Sequence, residues 1–325
     1  MRILRHYDGV DASARGAVVA LGNFDGVHRG HAAVIAEAAR LARGLGAPLG
    51  VLTFEPHPRH FFQPGSVPFR LTPFRLKARR IAALGVDVMC NLRFGADLAG
   101  RLAQQFVLDV LVGGLAIKHL VVGPGFVFGK RRRGNANVLR HMAAMEGFGF
   151  TEIAPERIAD EICSSTDIRV LVRRGLVDQA AALLGWTWEF EGRVMPGEAR
   201  GRDMGFPTAN ITLDGHLHPG PGIYAVRAGI TGPDGVDWRD GAAYIGSRPT
   251  FGGETVLLET HLFNFDGDLY GRRLRVAFVQ RVRKDQRFEG VEALKTQMTA
   301  DCQRARHILA NAAGIAKPIS NPPAA

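Results

Sequence analysis

The chain of 325 residues holds three cysteines, Cys90, Cys163 and Cys302, far apart and in no CxxC or Cys/His spacing. That scarcity argues against a disulfide framework and a zinc ribbon, and fits a reducing, cytoplasmic setting. Long apolar runs are missing as well. The N-terminal MRILRHYDG lacks the hydrophobic core of a signal peptide, and the most apolar stretch, 106–129, is interrupted by Asp109, Lys118 and His119. Neither a leader nor a membrane span is expected. No internal repeat is visible, and the densest basic run, Lys130 to Arg133, has no interleaved aromatics and reads as a solvated loop. The formal charge of +10 attracts anions generally, so charge alone does not choose between nucleic acid, acidic lipid and nucleotide phosphates.

What is present is the composition of a globular protein, 46% hydrophobic and 22% charged, at a length that suits two domains. Up to residue 185, short apolar runs at 17–21, 49–54, 86–92, 119–123 and 150–154 alternate with helical patterns near 30–43, 73–84, 98–112 and 135–147. This alternation predicts an α/β domain, Rossmann-like, with a parallel sheet. Two further short helices are expected over 164–175 and 176–185. After Gly185 the chain turns β-rich, with WTWEFEGRVM, IYAVRAGI, VDWRDGAAYI, VLLETHLF and LRVAFVQRV separated by Gly, Pro and Asp turns. An antiparallel barrel is expected, followed by a terminal helix with an apolar stripe at Val291, Leu294, Met298, Cys302 and Ala305. The proline-rich tail, 313–325, is expected to be disordered.

The segment GNFDGVHRGH, 22–31, joins the first strand to the first long helix. A helix mouth leaves backbone N–H groups unpaired at the positive end of the helix dipole, and polyphosphate is the natural guest. Gly26 and Gly30 allow close approach, while His28 and His31 can donate to phosphate oxygens as charge develops. Asp25 accepts only, which suits orienting a neighbour or a metal ion. A metal pair at i, i+3 and histidines without a role are the competing readings; no third ligand is apparent nearby. His57 lies just past the second strand, where open α/β sheets bind ligands, or is simply held in a proline-bounded turn. SSTDIR, 164–169, is a helix N-cap signal with hydroxyl donors and a cation one turn in. GPGFVFGK is not a Walker A loop, because Gly123 and Gly129 stand one residue too far apart and Arg131 replaces the Ser or Thr.

In the β-rich half, GRDMGFPTAN, 201–210, leads through flexible glycines to Pro207 and then to Thr208 and Asn210, alternate residues with oxygens on one face. Such a pair suits a magnesium ion shared with ATP phosphates, or else a turn with local hydrogen bonds. Glu259 and His261 share a strand face.

His28-Arg29-Gly30-His31 is similar to the HxGH signature of the nucleotidylyltransferases, and GNFDGVHRGH resembles its form in bacterial bifunctional riboflavin kinase/FAD synthetases. LTFEPHPR at 52–59, VVGPGFVFG at 121–129 and SSTDIR agree with that family. GRDMGFPTAN resembles the GxPTAN signature of riboflavin kinases, followed in family order by PGIYAV, YIGSRPTFGG, LETHLFNFDGDLYG and VRKDQRFEGVEAL. The resemblance implies that Gly22, Phe24, Asp25, His28, Gly30, His31, Ser164, Ser165, Thr166 and Arg169 bind ATP for adenylyl transfer, with His28 and His31 catalytic. It implies flavin or phosphate contacts from His57 and Arg248. In the kinase half it implies ATP and Mg2+ binding by Gly205, Pro207, Thr208 and Asn210, the metal resting on Thr208 and Asn210, and Glu259 as catalytic base. The family pattern is departed from at Gly125, Asp167, Tyr244, Asn264 and Asp285.

The expectation is therefore an FMN adenylyltransferase domain over 1–185 and a riboflavin kinase domain over 186–312. Together they would convert riboflavin to FMN and FMN to FAD with ATP and Mg2+. The partners expected are these small molecules, without nucleic acid or membrane. Two readings compete: a riboflavin kinase whose adenylyltransferase domain is degenerate, and a nucleic-acid-binding protein.

Overall fold

The computed structural model describes residues 1–158, 161–197, 201, 204–213, 216–232, 235–250 and 253–312. The chain forms two compact units. Among the described residues, the first comprises Met1–Val67 and Thr72–Ser164, and the second takes Pro68–Leu71 and the chain from Ser165 to Ala312.

In the first unit the strands are β1 (Arg2–Leu4), β2 (Val18–Leu21), β3 (Leu49–Glu55), β4 (Val88–Arg93), β5 (His119–Val122) and β6 (Gly149–Glu152). They form one sheet in the order β1-β4-β3-β2-β5-β6, and every pairing is parallel. The helices are α1 (Arg29–Leu45), α2 (Pro58–Phe62), α3 (Phe74–Ala82), α4 (Ala96–Gly100), α5 (Ala103–Gln105) and α6 (Ala136–Glu146). Alternation along β2 divides the core between the two faces of the sheet. Val18 and Ala20 pack with Val34, Ile35 and Ala38 of α1 and with Ile81 of α3. Val19 and Leu21 pack with Phe106, Val110 and Leu139 on the other side. The near-continuous apolar strands are thus buried on both sides, as a doubly covered parallel sheet requires.

Two features depart from the reading of the sequence. The edge strand β1 was not expected; it is too short to show a period. The single helix expected over 98–112 is broken at Arg101, whose backbone is extended and whose carbonyl accepts from Lys130 N at 2.7 Å. A new helix starts at α5, where the Gln105 side chain accepts from Leu102 N, and it runs on as a π-helix over Phe106–Gly114. A small hairpin, β7 (Arg157–Ile158) with β8 (Glu161–Ile162), follows the sheet.

The second unit begins with α7 (Ser165–Arg173) and α8 (Val177–Leu184). Its strands are β9 (Glu189–Arg193), β10 (Ala209–Thr212), β11 (Gly222–Gly232), β12 (Gly235–Thr250), β13 (Gly253–Leu262) and β14 (Arg273–Lys284). They run antiparallel in the order β10-β13-β12-β11-β14-β9. The two outer strands are brought together by a bridge between Met195 and Asn210, so the sheet is a nearly closed barrel. Trp188, Tyr224 and Phe278 fill its interior.

The terminal helix α9 (Val291–Asn311) packs Ala305 and Leu309 on Ala225, Ala242, Phe263 and Val279. The expected stripe holds only in its C-terminal half, since Val291 is 63% exposed. Asp301, not an apolar residue, anchors the middle of α9 by accepting from the Arg283 guanidinium at 2.8–3.1 Å. The proline-rich tail, 313–325, lies outside the described residues.

Candidate active sites

The strand order of the parallel sheet reverses at β2, with β3 on one side and β5 on the other. Open α/β sheets bind ligands beyond the carboxyl ends of strands at such a point. The loop carrying GNFDGVHRGH leaves β2 there, FEPHPR leaves β3 and GPGFVFG leaves β5, so three of the sequence motifs follow three adjacent strands.

Within the first loop each expected residue has a distinct job. His28 is the N-cap of α1: its Nδ1 accepts from His31 N at 3.3 Å. The His28 and His31 rings stack at 3.6 Å between centroids, and Phe24 meets His31 edge-on at 5.2 Å. Gly22 lies under Phe24, where an added Cβ would stand 3.3 Å from the ring. A Cβ at Gly30 would stand 3.1 Å from Cε1 and 3.2 Å from Nδ1 of His28. Glycine is needed at that position to leave room for the imidazole. Cys163 closes the other side, with Sγ 3.5 Å from His28 Nδ1. Burial pushes the Cys163 thiol above its ordinary range, opposed in part by the Gly30 and Arg29 backbone nearby. Of the first-turn amides of α1, expected to be open to a phosphate, that of His31 is therefore directed at His28.

Asp25 is 4% exposed and works within the loop: it accepts from Thr72 N at 3.0 Å and from Thr72 Oγ1 at 3.3 Å. Thr72 Oγ1 in turn accepts from Gly26 N at 2.9 Å. This clamp holds a loop in which Phe24 and Val27 take positive φ angles of 49° and 38°, costly for side chains of that size. Lys77, which nothing in the sequence singled out, is buried on α3 with Nζ 3.3–3.5 Å from Asn23 O, Thr53 Oγ1 and Phe54 O, and 3.6 Å from Glu55. Its position beside Leu76 in an amphipathic helix offers no signal of that role.

His57 caps α2, its Nδ1 accepting from Arg59 N at 3.1 Å. Gly125, one of the departures, has a φ of +65°, and its amide donates to Glu152 Oε1 at 3.3 Å. A carboxylate therefore stands beside that loop although none is in it. Ser164 ends the first unit, whereas Ser165, Thr166 and Arg169 open α7 in the second. Arg169 donates through Nε to Phe69 O at 2.7 Å and lies over the Phe69 ring.

In the second unit Glu259 on β13 stands directly opposite Asn210 on β10 and Tyr244 on β12. Cross-strand register thus puts the amide, the carboxylate and the phenol in one row on one face. Tyr244 Oη donates to Asp285 Oδ2 at 3.2 Å, so two departures from the family pattern are partners. His261, two residues on, lies on the same face with Nδ1 2.9 Å from Pro207 O, and its ring meets Phe206 edge-on. That contact ties the PTAN segment to the strand carrying Glu259. Gly205 has a φ of +86°, the left-handed turn that delivers the chain into Pro207. Asn210 Nδ2 donates to Thr208 O at 3.3 Å, and its Oδ1 is the acceptor end of the side chain. Thr208 and Asn210 offer hard neutral oxygens, the donor type Mg2+ takes alongside phosphate, so these residues fit the metal. The Arg248 side chain lies outside the described residues; its backbone pairs with Thr255 on β13. Among the described residues no group of three or more His, Cys, Asp or Glu is placed to hold a metal ion, and no helix is long and apolar enough to cross a membrane.

Both halves of the chain match known families. A family described as FAD synthetase matches residues 10–167, and one described as riboflavin kinase matches residues 184–309. The bifunctional riboflavin kinase/FMN adenylyltransferase of Pseudomonas fluorescens is 40% identical, covering 96% of this chain and 99% of that protein. The protein of the same name from Escherichia coli K12 is 36% identical over 98% of this chain and 100% of its own length, and that of Bacillus subtilis 35% over 91% and 93%. A crystal structure described as a macrolide-efflux protein from Streptococcus pneumoniae superposes with a TM-score of 0.84 at 28% identity, covering 94% of this chain and 99% of that one. With both halves matched in order and the relatives aligned over nearly their full lengths, the chain belongs to the bifunctional riboflavin kinase/FMN adenylyltransferase family.

Proposed function

We propose that this chain is a bifunctional flavin-cofactor synthase: the barrel phosphorylates riboflavin with ATP to FMN, and the α/β domain transfers AMP from ATP to FMN, giving FAD and pyrophosphate. The observation that supports it best is the Glu259 row. A carboxylate facing Asn210 across one ladder rung, with Thr208 beside it, is the arrangement phosphoryl transfer to an alcohol needs. Glu259 takes the proton of the riboflavin primary hydroxyl as that oxygen attacks the ATP γ-phosphorus. Thr208 and Asn210 would hold Mg2+, which neutralises charge on the nucleotide phosphates. His261 holds Pro207 and so keeps PTAN against β13.

In the α/β domain the FMN phosphate is itself the nucleophile on the α-phosphorus, so no protein nucleophile is required. Catalysis there is alignment plus stabilisation of charge by donors at the helix mouth. His28 and His31 are those donors, and Gly30 leaves them the room. Ser164, Ser165, Thr166 and Arg169 would bind the ATP phosphates, and His57 the flavin phosphate. The enzyme's proposed setting is the cytoplasm, where ATP is available, with riboflavin, FMN and ATP as its partners.

The test is chromatography of flavins after incubating the protein with riboflavin, Mg2+ and ATP. FMN followed by FAD is expected. FMN alone, even when FMN is supplied as substrate, refutes the adenylyltransferase half; absence of FMN refutes the kinase half.

A further inference from the structure

The cysteine beside the helix mouth touches a catalytic atom. Cys163 Sγ stands 3.5 Å from Nδ1 of His28, the same nitrogen that His31 N addresses at 3.3 Å. A backbone amide can only donate, so Nδ1 must present its lone pair, and the hydrogen of the neutral ring then sits on Nε2. A thiol beside that lone pair adds a second, weaker donor. We infer that Cys163 is a positioning residue for adenylyl transfer: with the His31 amide it holds the His28 imidazole in the Nε2–H tautomer, aimed to donate from Nε2.

The surroundings favour this over simple filling of space. Burial keeps the sulfur in its protonated, donating form, although the Arg29 and Gly30 backbone beside it pulls the other way. Cys163 therefore stands as a donor to the ring that caps α1. Stacking on His31 and the close approach at Gly30 fix the ring plane. The opposite tautomer would lose the His31 hydrogen bond and would turn a lone pair toward phosphate oxygens. The consequence for catalysis rests on the adenylyltransferase reading of this site; the tautomer does not.

The experiment uses the full chain labelled with nitrogen-15 histidine, in wild type and in Cys163→Val and Cys163→Ser. In wild type the His28 ring is expected to show a protonated Nε2 and an unprotonated Nδ1. Cys163→Val removes the donor at similar volume; a share of the Nδ1–H tautomer should appear and kcat for FAD formation should fall by roughly threefold to tenfold, as for one lost hydrogen bond. FMN formation should be unchanged, and Cys163→Ser should restore both the tautomer and kcat. A wild-type ring protonated on Nδ1 overturns the inference. So does a Cys163→Val protein with wild-type tautomer, whatever its activity, because its effect would then be packing alone. If Cys163→Val does not fold, the wild-type spectrum and the serine variant decide by the same criteria. A wild-type protein that makes no FAD refutes the adenylyltransferase reading instead, and the spectrum separates the two failures.

Discussion

Replacing Asp25 by alanine separates a structural carboxylate from a ligand-binding one. Asp25 is 4% exposed and Thr72 1%, so the bonds from Thr72 N (3.0 Å) and Oγ1 (3.3 Å) to the carboxylate form without competition from water. Removing an ionised acceptor costs about 1.5–3 kcal/mol, and orphaning the buried Thr72 N–H adds about 1–3 kcal/mol. The two overlap, so a loss of about 2–4 kcal/mol is expected for Asp25→Ala and about 1 kcal/mol for Asp25→Asn, whose amide oxygen still accepts. For a unit of this size each kcal/mol lowers the unfolding midpoint by about 2–4 °C, which predicts a fall of roughly 5–15 °C for the alanine variant. The loop would slacken as well, because the positive φ angles of Phe24 and Val27 lose their clamp and His28 follows in the same turn. The assay is calorimetric unfolding alongside FAD formation from FMN. An Asp25→Ala protein whose midpoint moves by less than about 1 °C, yet which makes no FAD, would refute the clamp and assign Asp25 to the nucleotide.

His28→Ala should abolish FAD formation while sparing FMN formation, and Glu259→Gln should abolish FMN formation while FAD is still made from supplied FMN; loss of both activities in either folded variant would contradict separate sites. Gly30→Ala puts a methyl 3.1 Å from His28 Cε1 and should cut kcat for FAD at least tenfold with little change in thermal stability, as steady-state kinetics and unfolding together would show. His119, half-buried on β5, has its pKa lowered from the ordinary 6.5, chiefly by desolvation, so the unfolded chain binds that proton first. Stability is then fully present above about pH 6.5 and falls as the pH drops below it, and His119→Gln should flatten that slope in urea titrations between pH 7.5 and 5.5, about a unit either side of the histidine value.

Much of the fold is written locally. The apolar runs are short and uninterrupted because both sheet faces are covered, and the switch to Gly- and Asp-punctuated strands after Gly185 marks the barrel. The break at Arg101 was hidden, because it arises from a hydrogen bond to Lys130, distant in sequence. The exposed start of α9 was hidden for a similar reason: a stripe of apolar residues does not say how much of a helix its sheet can cover.

The sites divide along the same line. Sequence by itself determined which residue types stand together: two histidines around a glycine at a helix mouth, a proline-fixed Thr and Asn, a Glu and His at strand spacing. Such patterns rest on local geometry, the turn, the cap and the pleat, which neighbours in the chain impose. Only the tertiary structure decided their partners: Thr72 for Asp25, Asn23 and Glu55 for Lys77, Cys163 for His28, and Asn210 and Tyr244 for Glu259. Those pairings join residues remote in sequence, and they are set by strand register and by the burial that makes each unsatisfied polar group expensive.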